Sequence, residues 1–243
     1  MPTYEALLVA LSVLAGGVAA LSGFGIGSLL TPALAVSVGT KLAVAAVAVP
    51  HVAATALRLW MLRAAISREV LLRFGLPSAL GGLLGALIQA FLSSPSLSAV
   101  LGLLLIFAGF SELSGLAERL RFPGRWAIVA GVLSGLFGGL VGNQGGIRSA
   151  ALLRFGLSRE TLVATATASA LLVDAARLPV YLVSSAAHLV TIWPLLVALT
   201  AGVLVGTLIG APVLRRIPDA VFRRLLAVLL IVLGIGLIAT MGR

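Results

Sequence analysis

The chain has 243 residues, 60% of them hydrophobic and 10% charged, with a mean hydropathy of +1.20 and a formal charge of +10. Soluble domains do not have this composition, so the chain reads as an integral membrane protein. The positive charge does not indicate nucleic acid, because the basic residues fall in short clusters between apolar runs, and the lack of cysteine excludes disulfides and thiolate metal sites.

Apolar runs follow one another at Tyr4 to Leu21, Lys41 to Leu62, Phe74 to Leu92, Leu97 to Gly115, Trp126 to Val141, Glu160 to Val183, Leu189 to Leu214 and Val221 to Thr240. Most approach or exceed the roughly 20 residues that a spanning helix needs. A barrel would need ten-residue alternation of polar and apolar side chains, whereas here Leu, Ala, Val and Gly run continuously. The expected fold is therefore an all-α polytopic membrane protein with a single membrane domain over residues 1–243. The first run carries only Glu5 before it, not a basic leader, and is expected to remain in the mature protein.

Arginine clusters orient the runs. Arg63, Arg68 and Arg73 form one, Arg119, Arg121 and Arg125 a second, and Arg215, Arg216, Arg223 and Arg224 a third, all expected on the cytoplasmic side of a plasma (inner) membrane. The arginine-free links Ser93 to Ser96 and Ser184 to His188 then lie outside. Two segments, Tyr4 to Val38 and Trp126 to Gly156, must each begin and end on one side. Each is expected to be a re-entrant hairpin whose second limb, Gly27 to Val38 or Gly146 to Phe155, is too short to span comfortably. Both termini then face outward.

The hairpins also carry an internal duplication. Ser22-Gly23-Phe24-Gly25-Ile26-Gly27-Ser28 corresponds to Val141-Gly142-Asn143-Gln144-Gly145-Gly146-Ile147, an offset of 119 that carries Gly27 onto Gly146. The same offset pairs Gly16 with Gly135, Lys41 with Glu160 and Arg58 with Arg177; two further residues of shift pair Gly81 with Gly202 and Gly85 with Gly206. The chain thus divides into repeat 1 (about 1–118) and repeat 2 (about 119–243), each a glycine-broken hairpin plus three transmembrane helices, inverted with respect to one another. Glycine-interrupted segments at matching places in two halves point to the binding site of a transporter.

At these residues the chain resembles the sulfite exporter TauE/SafE family of membrane permeases, whose hallmark is a glycine-rich break followed by apolar residues and a proline in each half. Gly25-Ile26-Gly27-Ser28-Leu29-Leu30-Thr31-Pro32-Ala33-Leu34 follows that pattern, and Gly131-Val132-Leu133-Ser134-Gly135-Leu136-Phe137-Gly138-Gly139 is similar to the approach to the second break. The second break departs from it, with Asn143 and Gln144 within the glycine run and Ala151 in place of the proline. The resemblance implies a carrier of small sulfur-containing anions such as sulfite or organosulfonates.

The residues suggest where such an anion would sit. A helix restarting after a glycine break offers free N–H groups and a partial positive charge, so Gly25, Ile26, Gly27 and Ser28 in one half and Gly145, Gly146 and Ile147 in the other are candidate binding residues. Small residues that merely let helices pack are the alternative. Arg148 follows the second break by two residues, and its planar fork suits an oxyanion, unless a shallow hairpin lets it snorkel to the cytoplasm. Asn143 and Gln144 supply neutral donors beside it, or satisfy the broken backbone. His51 follows Pro50 in mid-span, with Thr55 and Arg58 on the same helical face. It is a candidate anion ligand or proton carrier, or a hydrogen-bonded packing residue.

Asp174 and Arg177, three residues apart, can pair across one turn. Arg58 and Arg177 are candidate gates at opposite faces, or interfacial snorkelling residues. Thr165, Thr167 and Ser169 supply hydroxyls suited to helix-to-helix bonding. No phosphate-binding P-loop or histidine–carboxylate metal cluster stands in the sequence, so the expectation is a permease, not an enzyme, with no cofactor. Its partners are the bilayer and a small anion, with room for proton coupling and a homodimer but no nucleic acid. A carboxylate carrier and a passive anion channel are the alternatives.

Overall fold

The computed structural model describes residues 2–115, 126–214 and 216–240, the side chains of 2, 211–214 and 219 excepted. Arg119, Arg121, Arg125, Arg215 and the expected boundary near residue 118 lie outside the described residues. Among the described residues there are helices and no strands: α1 (Pro2–Ser22), α2 (Ile26–Val38), α3 (Thr40–Leu62), α4 (Arg68–Phe91), α5 (Ser94–Ser114), α6 (Trp126–Val141), α7 (Gly145–Leu152), α8 (Arg159–Thr191), α9 (Trp193–Leu214) and α10 (Asp219–Ala239). Seven of them, α1, α3, α4, α5, α8, α9 and α10, are long and apolar enough to cross a membrane. The chain is a multi-pass membrane protein.

The remaining three belong to the hairpins. The Tyr4 hydroxyl at the start of α1 donates to the Ala33 carbonyl in α2 at 2.5 Å, so α2 folds back along α1. With 13 residues, α2 rises about 20 Å, short of the roughly 30 Å hydrocarbon core. In the second half α6 leads to α7, which has eight residues and ends in a 3-10 turn, Leu153–Phe155.

Two elements differ from the sequence expectation. The expected link Ser184 to His188 is helical, because α8 runs unbroken for 33 residues and the chain turns only at Ile192, ahead of Trp193 and Pro194. Serine near a helix end is no breaker: Ser184 Oγ bonds back to the Tyr181 carbonyl at 3.5 Å, within its own helix. On the other side, α4 begins six residues before the expected Phe74. Ser67 caps its first turn, and a π turn at Leu71–Gly75 lies just within it. Arg63, Arg68 and Arg73 are exposed around that helix start, and Arg216, Arg223 and Arg224 around the start of α10.

The packing exchanges partners between halves. The first limb of each hairpin packs most extensively on the fourth helix of the other half, α1 on α9 and α6 on α4, while α3 packs on α8 and α5 on α10, each on its own counterpart. Glycines make the two exchanged seams close enough to bring backbones together. On one, a Cβ at Gly16 would meet the Val203 carbonyl and one at Gly206 the Val13 carbonyl; on the other, Gly135 lies against the Ser78 carbonyl and Gly85 against that of Leu136. The aligned pairs Gly16 with Gly135, Gly81 with Gly202 and Gly85 with Gly206 are therefore packing positions of these two seams.

Replacing Gly135 by Ala forces α6 away from α4 and is expected to cost about 2 kcal/mol. Gly236→Ala, at a site with nothing within 4 Å, should leave stability within about 0.5 kcal/mol of the wild type. Thermal unfolding of both variants in detergent would check the contrast.

Candidate functional site

Each hairpin breaks where glycine lets the chain leave the helix. Gly23 (φ 77°) and its counterpart Gly142 (φ 74°) take left-handed backbone that a side chain resists. The breaks then diverge. Gly25 has φ 132°, whereas Gln144, at the equivalent position, has φ −121°. α2 and α7 both start without a side-chain cap; Leu29 N returns to the Gly25 carbonyl and Arg148 N to that of Gln144, so the amides of Ile26, Gly27 and Ser28 and of Gly145, Gly146 and Ile147 precede the first helical bond.

The two tips touch. A Cβ on Gly27 would strike the Gly142 carbonyl, and Gly145 lies against the Phe24 side chain. Ser28 Oγ donates to Asn143 Oδ1 at 3.1 Å, and Arg148 Nη2 donates to the Gly23 carbonyl at 2.9 Å. Arg148 is only 2% exposed and bonded across the tips, so it does not snorkel. Its Nε and Nη1 have no hydrogen-bond partner among the described residues; neither do the side-chain amide of Gln144 and Thr31 Oγ1. Gly25, Ile26, Gly27, Ser28, Asn143 and Gly145 are buried here, while Gly146 and Ile147 are half-buried. The junction thus concentrates buried donors that the fold does not use. Thr31 escaped the sequence reading, although it lies one turn beyond Ser28 on the same face of α2.

Beside the tips, α3 and α8 bring His51, Thr55, Arg58, Asp174 and Arg177 together, all buried. Arg58 Nη1 donates to the Ala19 carbonyl, and Arg177 Nη1 donates to the Gly138 carbonyl at 2.5 Å. The offset of 119 carries one bond onto the other, donor and acceptor alike. Ala19 and Gly138 are also the acceptors for the amides of Gly23 and Gly142, so each arginine grips the last turn before its own break.

Asp174 sits at the centre of the cluster. Oδ1 accepts from Arg177 Nε at 3.0 Å and Nη2 at 2.8 Å, and Oδ2 lies 2.6 Å from His51 Nδ1. Thr55 Oγ1 is 3.4 Å from that nitrogen and 3.5 Å from Arg58 Nη2. A continuous polar chain therefore runs from the first break through Arg58, Thr55, His51, Asp174 and Arg177 to the second. His51 and Asp174 come from different halves and have no like counterparts: the offset sets Ala170 against His51 and Thr55 against Asp174. Tyr181, unremarked in the sequence, adds a bond from its hydroxyl to the Gly139 carbonyl. Of the three hydroxyls expected to bond between helices, only Thr165 does so, its Oγ1 accepting from Ser67 N at 3.0 Å; Ser169 bonds to its own helix, and Thr167 Oγ1 is buried with no hydrogen-bond partner among the described residues.

A cavity of about 420 Å³ lies on the far flank of α7, between α5, α6 and α10, and is lined mainly by apolar side chains such as Phe107, Leu133 and Leu230. Phe24, Gly146 and Ile147 border it, but none of the unpartnered polar groups at the tips does. It adjoins the polar junction without being part of it.

No curated protein and no solved structure matches the chain. The profile of the sulfite exporter TauE/SafE family, by contrast, matches residues 8–237, both breaks and the buried cluster included. With both glycine breaks inside that span, the chain belongs to the sulfite exporter TauE/SafE family of membrane permeases.

Proposed function

We propose that the protein carries a small sulfur-containing anion, such as sulfite or an organosulfonate, across the plasma (inner) membrane by alternating access, with the anion held between the two hairpin tips. The observation that carries this reading is Arg148, a buried guanidinium with two nitrogens unpartnered among the described residues, set where two uncapped helix starts meet. A sulfonate or sulfite oxygen pair matches the fork that Nε and Nη1 present, and the first amides of α2 and α7 supply further donors. Asn143, Gln144, Ser28 and Thr31 complete the polar wall. Family membership supports an anion as the cargo.

In this reading the halves are inverted repeats. An up-and-back hairpin followed by α3, α4 and α5 amounts to an odd number of net crossings, which starts the second half on the opposite side. The exchanged packing of α1 with α9 and α6 with α4 is what a two-fold relation between halves requires. The arginines at the α4 and α10 starts then face the cytoplasm and both termini face outward. Arg58 and Arg177, with Thr55 and Asp174, act behind the anion: they hold the two breaks, so that moving one hairpin relative to α3 and α8 opens or closes its side. His51 stands beside them through Asp174.

Uptake into liposomes bearing purified protein, measured for sulfite and a panel of sulfonates with sulfate, acetate and chloride as competitors, tests the cargo. Saturable sulfite or sulfonate flux is expected. Preference for acetate would make the cargo a carboxylate, and conductive, unsaturable flux would make the protein a channel.

Arg148→Gln keeps a donor for the Gly23 carbonyl but loses the charge. It should weaken anion binding by about 2 to 3 kcal/mol, roughly 30- to 150-fold, without lowering the unfolding temperature. Retained affinity would remove Arg148 from the site.

In oriented vesicles, a cysteine in place of the exposed Ser96 should label from outside and one at Arg68 from inside. Reaction of both from one face would overturn the topology.

A further inference from the structure

The cluster between α3 and α8 contains one group whose proton is not fixed by its surroundings. Arg177 engages Asp174 Oδ1 with two nitrogens, which keeps the carboxylate an acceptor; Oδ2, 2.6 Å from His51 Nδ1, then takes a hydrogen from that nitrogen. In the neutral ring this leaves the lone pair on Nε2. Nε2 is engaged by no hydrogen bond from a described residue, and the His51 side chain keeps 8% of its surface accessible. The carboxylate orients the ring, and the opposite nitrogen is available.

The charges around it set what a proton there would do. On α3, Thr55 meets His51 and Arg58 in turn; on α8, Asp174 meets His51 directly and holds Arg177, whose guanidinium lies 5.8 Å from the Tyr181 ring. Arg148 on α7 interacts electrostatically with Arg58, Asp174 and Arg177. Among the other helices packed on α3, none of α2, α6 and α9 contains an ionisable side chain, and Glu112 of α5 pairs with Arg223 of α10; on α4, packed on α8, Arg68, Glu69 and Arg73 are exposed at its start. Three guanidinium groups therefore stand against one carboxylate. Another positive charge on His51 is opposed directly by Arg58 and Arg177, and an anion arriving at Arg148, which interacts with both of them, offsets the positive surplus of the cluster.

We infer that Nε2 of His51 is a proton-binding site and that one proton travels with each anion. The inference rests on the proposed anion site. Nε2 takes a proton from water on the side to which the site is open and gives it to water on the other side, while Nδ1–H stays on Asp174 throughout. Because each ligand favours the other, their coupling is reciprocal: anion raises proton uptake, and falling pH raises anion affinity. Singly loaded carriers are the disfavoured species, which is the condition for moving proton and anion in the same direction. The polar chain from His51 to both breaks lets the loaded state act on both hairpins.

The test counts protons. Wild type and His51→Asn are reconstituted with a pH-sensitive dye in a weakly buffered lumen and given methanesulfonate, which does not titrate, and sulfite, which does. His51→Asn can still donate to Asp174 but has no nitrogen to protonate. Wild type should acidify the lumen by one proton per anion more than the variant with either probe. Its half-saturating anion concentration should rise with pH, by up to about tenfold per unit, and that of the variant should be flat once sulfite's own titration is subtracted. Equal proton counts in the two proteins overturn the inference.

Should the variant not fold, calorimetric titration of wild type with methanesulfonate and with sulfite, in buffers of different ionisation enthalpy, gives the protons bound per anion; no proton from solution beyond those the anion itself releases or takes up is the overturning result. Absence of anion binding at every pH would instead remove the transport reading, and this inference with it.

Discussion

A helix broken inside a bilayer leaves carbonyls and amides that lipid cannot satisfy, so every broken turn must find its partners within the protein. That constraint accounts for the most repeated feature of this chain. Arg58 and Arg177 each turn a guanidinium onto the last helical carbonyls before a break, Ala19 and Gly138, and the charge this buries has to be balanced in turn. Asp174 offsets part of it, paired with Arg177 and within electrostatic reach of Arg58, with His51 on its remaining oxygen. The broken backbone, the arginines and the acid form one system.

Glycine is used in two distinct ways. At Gly23, Gly25 and Gly142 it provides a backbone direction that other residues resist, which creates the breaks. Along α1, α4, α6 and α9 it provides proximity, bringing α1 and α9, and α4 and α6, into backbone contact. Lipid gives helices little hydrophobic reason to associate, so close packing of this kind does the work of a core. The seams fix the first limbs of the hairpins against the opposite halves, and the short limbs α2 and α7 start from these fixed points.

Much of this was legible in the sequence. The 119-residue offset picked out Arg58 with Arg177 and the two breaks together, because duplicated sequence survives as a linear pattern. What was hidden has physical reasons. Ser184 to His188 looked like a link because it is polar, but polarity does not end a helix; Pro194 gives the clearer stop signal. The pairing of His51 with Asp174 joins residues 123 apart that have no like counterparts, so no periodicity announces it. Thr31 looks like one more hydroxyl in an apolar helix until Gly142 is seen beside it, its nearest neighbour on that side being the Thr31 Oγ1. The role of Arg148 depended on depth, which linear sequence does not carry.

The unlike pair at the centre has a consequence for the symmetry of the molecule. If two copies of the first half associated in the same way, His51 of each would meet Thr55 of the other; two copies of the second would oppose Asp174 with Ala170. Neither assembly contains the acid and the imidazole together. A pair of identical halves could not possess this bond, which requires the two halves to differ at these positions. In the alternating cycle proposed above, the same divergence makes the two ends unlike: one hairpin is held through an arginine alone, the other through an arginine with its own acid and Tyr181. On that reading the two facings differ in free energy before any gradient is applied.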